Sequence, residues 1–386
     1  MPALACLSAL AGAAPEGQNR WTEDAVRRAE HARGAYAPDL IEPLSDSARF
    51  HSEAGKHSDA ISDYQRALHL TRINGGLYNA GQIPLLQQLA VSQESLGQLL
   101  EADSTRDYLY RVQRNVLSAD PAESARAALV RARWKRNLYR AGVGHEPYLW
   151  LLQSHRAHAE ALELLGPDNP DFSARLEHVY GRMETEYLIS HYRNPQQRGL
   201  SFSSPGFAGR VSLDADAFRL LKKHNYRNGR KTLQQAIDLL QSIDPLPLEE
   251  LARVHIALGD WHLWWFQHSS AQHSYRDAWR LWEGERGAGT AASALFPEPR
   301  LLPDGQKLGS GSVGGEAGAH VRFRVSKKGE ARDIEVLELA APPGRDSDFA
   351  RVVVFNLLKE YRFRPVVRAG EVVTGEPVER RFRFDY

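Results

Sequence analysis

The sequence predicts a protein of two parts, an α-helical superhelix of repeats followed by a small β-β-α-β domain, which is the fold class α + (α+β). The helical prediction rests on residues 20–285, where Ala, Leu, Gln, Glu and Arg are frequent and apolar residues recur at i, i+3 and i+4. Residues 286–318 are rich in Gly, Pro and Ser without periodicity, which is typical of a linker. From residue 319 to 386 apolar and polar side chains alternate between glycine turns, which predicts strands.

The overall charge excludes some classes of partner. The chain has 386 residues and a formal net charge of +1. General nucleic-acid binding favours a domain that is basic throughout, and this balance argues against it. No apolar run approaches the roughly 18 residues that a membrane-spanning helix requires. We therefore expect protein partners, with no nucleic acid and no transmembrane helix.

Residues 1–14 predict a secretory signal peptide. They are small and apolar, with Ala-x-Ala patterns at 9–11 and 11–13 typical of a cleavage site. The basic segment that should precede them is missing, which favours a truncated or misassigned start; an ordinary disordered N-terminus is the alternative. Cys6 is the only cysteine, and Ala3 stands where a lipidation motif needs Leu. Cleavage after Ala11 or Ala13 would leave no thiol for a disulfide or for catalysis, which suits a bacterial periplasm.

The clearest internal repeat lies at residues 252–282. Small residues at Gly259, Ala271 and Ala278 would let two antiparallel helices approach closely, and Tyr275 would fill the space between them. This spacing resembles the tetratricopeptide (TPR) repeat.

Other segments repeat the second half of that pattern. Residues 55–68 match it at Gly55, Ala60, Tyr64 and Ala67, and the stretch from Gly97 is a weaker match. One helical pair cannot bury its apolar face alone, so such pairs stack into a superhelix with a concave surface. The resemblance implies that this surface holds a peptide or protein; a spacer without a ligand is the alternative. Residues 194–210 interrupt the pattern and predict a surface loop.

The last 68 residues predict a sheet packed on one helix. Val321, Phe323 and Val325 share one strand face, and Gly329 suits a turn that needs positive φ. A second strand follows, and then a helix capped by Asp346 or Ser347 that runs to about Tyr361. The apolar face expected for that helix comprises Phe349, Val353, Leu357 and Tyr361. A turn at 369–371 leads to the closing strand, whose Phe382, Phe384 and Tyr386 share a face expected to complete the core.

This layout resembles the C-terminal domain of the TonB energy-transducer family. The resemblance covers residues 319–386 and lies in the hairpin VRFRVSKKGEARDIEVLE, the helix FARVVVFNLLKEY, the segment RFRPVVRAGEVV and the closing RFRF. It implies a periplasmic domain that binds an extended segment, the TonB box, of outer-membrane receptors by strand addition. The membrane helix and long proline-rich span of the energising members have no counterpart in this sequence. We therefore expect an adaptor rather than direct energy transduction.

The residues expected to carry strand addition lie in two stretches of the C-terminal domain. They are Arg362, Phe363, Arg364, Pro365, Arg381, Phe382, Arg383, Phe384, Asp385 and Tyr386. Main-chain groups would supply most of the binding. The function expected is a non-catalytic periplasmic adaptor whose repeats bind a second protein. The alternative is a structural envelope scaffold whose C-terminal domain mediates self-association as a homodimer.

Motifs for catalysis, cofactors and metals are lacking in the sequence. There is no G-x-x-x-x-G-K-[ST], H-E-x-x-H or G-x-S-x-G. His255, His262, His268 and His273 cluster without carboxylates or thiols at ligand spacing, which favours helix-surface or inter-helix histidines over a metal site. The aromatic stretch 261–266 predicts packing between helices, with a ligand-binding patch as the alternative. The basic run 131–140 predicts a solvated helix face, with contact to an acidic partner as the alternative.

Overall fold

The structure is a computed structural model that describes residues 16–166, 171–193, 213–286, 296, 298–303, 316–340 and 347–385. The chain is mostly helical, with a small strand region at its C-terminal end. It divides into two compact units. Unit 1 comprises Met1–Trp134, Val143–His145 and Glu160–Leu165; unit 2 comprises Lys135–Gly142, Glu146–Ala159 and Gly166–Tyr386. The predicted signal peptide (1–14) and surface loop (194–210) lie outside the described residues.

Helices occupy most of the described chain between Glu16 and Arg286. They are α1 (Glu16–Arg33), α2 (Ile41–Glu53), α3 (His57–Gly75), α4 (Gln82–Ser95), α5 (Leu99–Val116), α6 (Pro121–Arg140), α7 (Tyr148–Leu165), α8 (Phe172–His191), α9 (Leu213–Lys223), α10 (Asn225–Gln241), α11 (Leu248–Trp264) and α12 (His268–Arg286). A short 3₁₀ helix at Pro38–Leu40 precedes α2. None of the described helices is long and apolar enough to cross a membrane.

The predicted repeat residues of unit 1 lie in helix α3 and in the turns between helices. Ala60, Tyr64 and Ala67 of α3 are buried at 0–3% exposure and belong to the core formed with α2, α4 and α5. Gly55 lies in the turn between α2 and α3 with φ +75°, and Gly97 has φ +73° in the turn between α4 and α5. Both turns close with the bond that a left-handed cap makes, from Lys56 N–H to His51 O (2.8 Å) in the first turn.

In unit 2, aromatic rings lie directly on glycines of neighbouring helices. A Cβ on Gly259 of α11 would come within 2.4 Å of Tyr275 Cε1 on α12. The same arrangement joins Gly229 of α10 to Trp261 and Gly181 of α8 to His158. Tyr275 is fully buried, as are Ala271 and Ala278 beside it. Small residues thus lie where α11 and α12 approach closely, and Tyr275 fills the space between them.

The C-terminal region contains a three-stranded antiparallel sheet. Its strands β2 (Glu316–Val325), β3 (Ala331–Ala340) and β7 (Val378–Asp385) lie in the order β3-β2-β7. Helix α13 (Ser347–Glu360) connects β3 to the later strands. The main elements therefore follow the predicted β-β-α-β order, with the closing strand beside the first one. Gly329 has the expected positive φ, +73°.

Shorter strands, which the sequence pattern did not separate, lie between α13 and β7. They are β4 (Arg362–Arg364), β5 (Val366–Arg368) and β6 (Glu371–Val373). Strands β4 and β5 are separated at Pro365, because proline has no N–H to continue a ladder. Strands β5 and β6 form a hairpin whose turn residues Ala369 and Gly370 both have positive φ, as a tight two-residue hairpin requires.

The core of the sheet uses the predicted strand face. Val321, Phe323 and Val325 are at most 1% exposed, and the more exposed Phe382 packs against them. The side chains of residues 383–385 and all of Tyr386 lie outside the described residues, so Phe384 and Tyr386 stay predictions for this core.

The buried face of α13 is shifted by one position along the helix from the predicted face. The buried stripe is Ala350, Val354 and Leu358, at 0–1% exposure. Of the residues expected to face the core, Val353, Leu357 and Tyr361 are partly buried beside it, and the side chain of Phe349 lies outside the described residues. Both sets have i, i+4 spacing, and only the direction in which the helix meets the sheet decides between them.

Part of the predicted linker 286–318 is strand or buried structure, which corrects that prediction for residues 296, 298–303 and 316–318. Strand β1 (Arg300–Leu302) pairs antiparallel with β4. Phe296 and Leu302 are 2–3% exposed. The sequence did not predict that Phe296 and Leu302 are buried. Prolines and glycines surround these two residues, and too few apolar residues lie nearby to give a helical or strand periodicity.

The β region also packs against helices α11 and α12 within unit 2. One apolar cluster combines Ala271, Tyr275 and Ala278 of α12 with Val367 and Val372 of the β5–β6 hairpin. Arg276 of α12 pairs with Glu371 at 2.6 Å. The strands and the last helices therefore share a core.

Candidate strand-binding edge of the C-terminal β region

Strand β7 is an edge strand of the described sheet. It pairs with β2 along eight register positions, from Glu316 opposite Asp385 to Phe323 opposite Val378. No other described strand pairs with it. An edge strand presents N–H and C=O groups that can receive another extended segment. The predicted strand-addition residues Arg381–Asp385 lie on this edge.

One main-chain hydrogen bond next to β7, together with the alternation along a strand, indicates which residues of β7 face outward. The carbonyl of Val325 in β2 accepts from Gly375 N–H, just before β7, at 3.1 Å. Main-chain groups alternate in direction along a strand, so Val321 and Phe323 also face β7. Their register partners, Arg380 and Val378, face inward in return.

The intervening residues Glu379, Arg381 and Arg383 therefore direct their N–H and C=O groups away from β2. Among the described side chains, Arg381 is the most accessible position on this edge to consider, because its side chain is 79% exposed. An extended partner would meet its main chain without disturbing the ladder to β2.

The open face of the sheet is covered by paired charges. Arg322 donates from Nε to Glu379 Oε1 at 3.0 Å and from Nη1 to Glu335 Oε2 at 3.1 Å. The hydrogen bond from Arg322 lowers the pKa of Glu379 and raises that of Arg322 in return. His320 lies 3.3 Å from the other Glu379 oxygen. These charges satisfy one another, so the edge rather than the face of the sheet is the candidate site.

The other predicted stretch, Arg362–Pro365, has partners on both sides in the structure. On one side β4 pairs with β1, with Leu301 opposite Phe363. On the other side Phe363 N–H donates to Gly329 O at 2.9 Å. Phe363 itself is 2% exposed and Pro365 is also buried. This stretch therefore offers no free edge, which the sequence pattern did not reveal.

Arg364 forms a buried ion pair with the helical part. Its Nε donates to Asp260 Oδ1 at 2.9 Å, and Nη2 contacts Oδ2. Tyr275 donates its hydroxyl to the same Oδ1 at 2.9 Å. Burial, followed by the Asp260 charge, raises the pKa of Tyr275 well above its ordinary value, so the hydroxyl stays a donor. Arg364 thus anchors β4 to α11.

The aromatic stretch 261–266 packs between helices, as predicted. Trp261 is fully buried and donates from Nε1 to Tyr226 O at 2.9 Å. Trp264 donates from Nε1 to Ser190 Oγ at 3.0 Å. Phe266 is the exception, because it is 58% exposed and lies under the Arg362 guanidinium at 4.5 Å.

The basic run 131–140 is not a solvated face throughout, which corrects the prediction at two positions. Lys135 and Arg136 are 0% and 4% exposed. Arg136 Nη1 lies 2.7 Å from His158 Nε2 and donates to Gly181 O at 3.2 Å. Burial, followed by the Arg136 charge, holds the pKa of His158 well below its ordinary value. The guanidinium is tolerated here because its Nη2 pairs with Glu184 Oε2 at 3.0 Å while Nη1 donates to Gly181 O.

No cluster of His, Cys, Asp and Glu among the described residues could hold a metal ion. The four predicted cluster histidines do not all share one site, although Asp277 lies near both His255 and His273. His262 Nδ1 bonds with the Tyr226 hydroxyl at 3.0 Å, whereas His273 lies 3.4 Å from Asp277.

A cavity of about 500 Å³ lies among α7, α8 and α9. Its lining combines aromatic rings with cationic side chains: Tyr148, Tyr192, Ala215, Phe218, Arg219, Lys222 and Lys223. The three rings also pack on one another, with Tyr192 and Phe218 centred 5.1 Å apart. Their contacts belong to the core of α7–α9.

No family model matches the chain, and no curated protein matches it. Among solved structures it is similar to BtubC (BKLC) from P. vanneervenii, at 14% identity and a TM-score of 0.32 over 71% of this chain and 93% of that one. It is also similar to a chain from Podosopora anserina described as a kinesin light chain with nearly identical TPR-like repeats. That match has 11% identity and a TM-score of 0.35 and covers 65% of this chain and 99% of the other.

Proposed function

We propose that this protein is a non-catalytic, protein-binding scaffold of the cell envelope. Its β7 edge receives an extended segment of a partner by strand addition, and its TPR-like helices hold a second protein. The observation that carries the proposal is the outer side of β7, with which no other described strand pairs, in a sheet whose open face is occupied by its own ion pairs.

The chemistry of β7 favours a foreign segment over a second copy of the same strand. Arg380, Arg381 and Arg383 follow one another closely along the strand. Two antiparallel copies of β7 paired about this stretch would bring arginines opposite each other, and like charges across a pair destabilise it. Self-association therefore ranks second, and a neutral or acidic partner segment ranks first.

The main-chain nature of the site allows a sharp test. A display library of random ten-residue peptides would be selected on the immobilised full chain, and its binders measured against two variants. Arg381→Pro removes one outward N–H but no bond to β2, whereas Arg381→Ala keeps that N–H and removes only the side chain. We expect binding to fall by up to about tenfold in Arg381→Pro, because one main-chain hydrogen bond worth roughly 0.5–1.5 kcal/mol is lost, and to change little in Arg381→Ala. Equal binding to both variants would exclude strand addition at this edge.

The envelope location has a test of its own. Fractionation of a Gram-negative host should recover the protein with periplasmic markers, and a photo-crosslinker at position 381 should capture outer-membrane receptors through their extended segments. Recovery with cytoplasmic markers would contradict the proposed envelope location, and it would not affect the proposal that the β7 edge binds an extended segment.

A further inference from the structure

Residues 296–303, which we name the resident segment, lie in the structure as a bound peptide would. The sequence of this segment is FPEPRLLP, and it is described at residue 296 and at 298–303. Nine residues separate it from α12, and twelve separate it from β2. The resident segment therefore makes its contacts through its own side chains and through the short strand β1.

The strand of the resident segment lies between two apolar cores. Leu302 is buried in the cluster formed by α11, α12 and the β5–β6 hairpin. Leu301, the adjacent residue, packs on the opposite side in the cluster beneath the three-stranded sheet. Alternation along a strand directs the two side chains to opposite sides, and here both sides are apolar.

A second anchor lies six residues before Leu302. Phe296 is 2% exposed, and its ring meets that of Tyr275 edge-on with the centroids 5.7 Å apart. Between the anchors, Glu298 pairs with the exposed Arg380 of β7. Pro299 is buried close to Gly375, where an added Cβ would lie 3.4 Å from its Cγ.

These contacts combine the two elements of extended-peptide recognition. Backbone pairing with β4 supplies affinity, and pockets for Phe296, Leu301 and Leu302 supply selectivity. The sequence has prolines at 297, 299 and 303, and each fixes φ and lowers the entropy lost when an extended segment is ordered.

We infer that the groove between α12 and β4 is a second peptide-binding site, held in the free protein by the chain's own resident segment. The partner it fits is an extended, proline-flanked protein segment with an aromatic anchor, an acidic residue two positions later and a Leu-Leu pair. The resident segment is the observation that defines this chemistry. The site is separate from the β7 edge of the proposed function and does not depend on it.

Tethering determines when a partner can enter. A segment held by linkers of this length competes at an effective concentration on the order of millimolar. A free peptide of equal intrinsic affinity is therefore excluded at micromolar concentration. Partners must either bind much more tightly or arrive when the resident segment is displaced.

The test uses a synthetic peptide with the sequence of residues 295–304, LFPEPRLLPD. In one variant of the full chain, residues 296–303 are replaced by a Gly-Ser repeat of equal length. The peptide should raise the melting temperature of this variant and bind it at least about 100-fold more tightly than the wild type, in which the tethered copy competes. A peptide in which both leucines are serine should do neither. If the replaced variant folds and ignores the peptide at millimolar concentration, the inference is overturned.

The Gly-Ser variant could fail to fold because it loses the buried side chains of Phe296, Pro299, Leu302 and Pro303. The single substitution Leu302→Ala in the full chain keeps Phe296 and Leu301 and serves in its place. The peptide should still raise the melting temperature of this variant more than that of the wild type, and equal shifts would overturn the inference.

The location of the bound peptide separates this site from β7. A photoreactive phenylalanine at the Phe296 position of the peptide should crosslink to Tyr275 or Trp282 of α12. Adding Arg381→Pro to the replaced variant should leave peptide binding unchanged. Crosslinks to β7, or loss of binding with Arg381→Pro, would assign the peptide to the edge strand instead and overturn the second site.

Discussion

The buried pair Asp260–Arg364 is the residue-scale feature on which the attachment of the β region depends. Their side chains are 7% and 12% exposed. Removing one partner of a buried pair leaves the other charge without compensation. We expect Arg364→Met to lower the free energy of unfolding by about 3 kcal/mol or more, as measured by urea denaturation.

The exposed pair Arg380–Glu298 supplies the matched control. Its side chains are 46% and 62% exposed, and exposed pairs contribute about 0–1 kcal/mol. Arg380→Met should therefore change stability little. The double variant Asp260→Leu, Arg364→Met should recover part of the loss, because no charge is then stranded. Equal costs for the two single arginine variants would contradict the importance of burial.

Phe266 is held in a left-handed conformation that favours glycine. Its φ is +59°, and it occupies the same position in the α11–α12 turn that Gly55 and Gly97 occupy in their own turns. Gln267 N–H donates to His262 O at 2.8 Å, which completes the same cap. A side chain costs about 1 kcal/mol or more here, and the Arg362 contact over its ring offsets part of that cost.

Two substitutions separate the strain from the ring contact. Phe266→Ala and Phe266→Gly both remove the ring, but only glycine relieves the backbone. We expect Phe266→Gly to be more stable than Phe266→Ala by about 1 kcal/mol in thermal unfolding. Equal stability of the two variants would show that the turn is not strained.

His262 gives the helical part a pH dependence. Burial, followed by the charge of Arg230, lowers its pKa from 6.5 to about 4. Between these values the unfolded chain binds a proton that the folded protein does not, so stability is full above pH 6.5 and declines as the pH falls towards 4. His262→Asn, which keeps an acceptor for Tyr226, should reduce this slope by up to about 1.4 kcal/mol per pH unit.

The measurement is urea denaturation at a series of pH values between 4 and 7. His273→Gln is the control, because that side chain is 72% exposed. Other histidines with lowered pKa, such as His158 and His255, keep part of the slope in every variant. An unchanged slope in His262→Asn would contradict the assignment.

At the scale of elements, contacts between glycines and rings set the distance between neighbouring helices. Gly259→Ala would place a methyl group 2.4 Å from Tyr275. Overpacking of this kind costs about 1–3 kcal/mol, which exceeds the roughly 1 kcal/mol that alanine gains in a helix. We expect a net loss of stability for Gly259→Ala, measured by thermal or urea unfolding.

The partner ring provides the control for this prediction. In a Tyr275→Leu background the methyl group has more room, so Gly259→Ala should cost less there than in the wild type. If the cost were the same in both backgrounds, the contact with Tyr275 would not be its cause.

For the whole molecule, the shared core predicts that the β region stabilises α11 and α12. A chain ending at residue 315 would lose Arg364 and leave Asp260 buried without its partner. It would also uncover the apolar cluster that Val367 and Val372 complete. We expect faster amide hydrogen exchange in α12 of the shortened chain than in the full chain.

This expectation affects how any truncation is interpreted. Binding lost on truncation could reflect a loosened helix pair as well as a missing β7 edge, whereas Arg381→Pro changes the edge alone. Unchanged exchange in α12 would show that the helices are stable without the strands, and truncation would then be a clean test of the edge.

Sequence reasoning located most elements because their signals are local. The alternation of Val321, Phe323 and Val325 and the requirement for positive φ at Gly329 depend on neighbours within a few residues. The repeat residues Gly259 and Tyr275 were found by spacing alone. The role of Arg364 was not, since its partner Asp260 lies 104 residues away.

By itself, the amino-acid sequence determined the helical and strand periods, the turns that need glycine and the β-β-α-β order. Only the tertiary structure decided which strand edges stay open. β4 and β7 are both arginine-rich apolar strands, yet β1 covers the first while the outer side of β7 has no partner strand among the described residues. The physical reason is that an edge is defined by what a distant segment covers, and the few buried side chains of the resident segment carry no periodic signal.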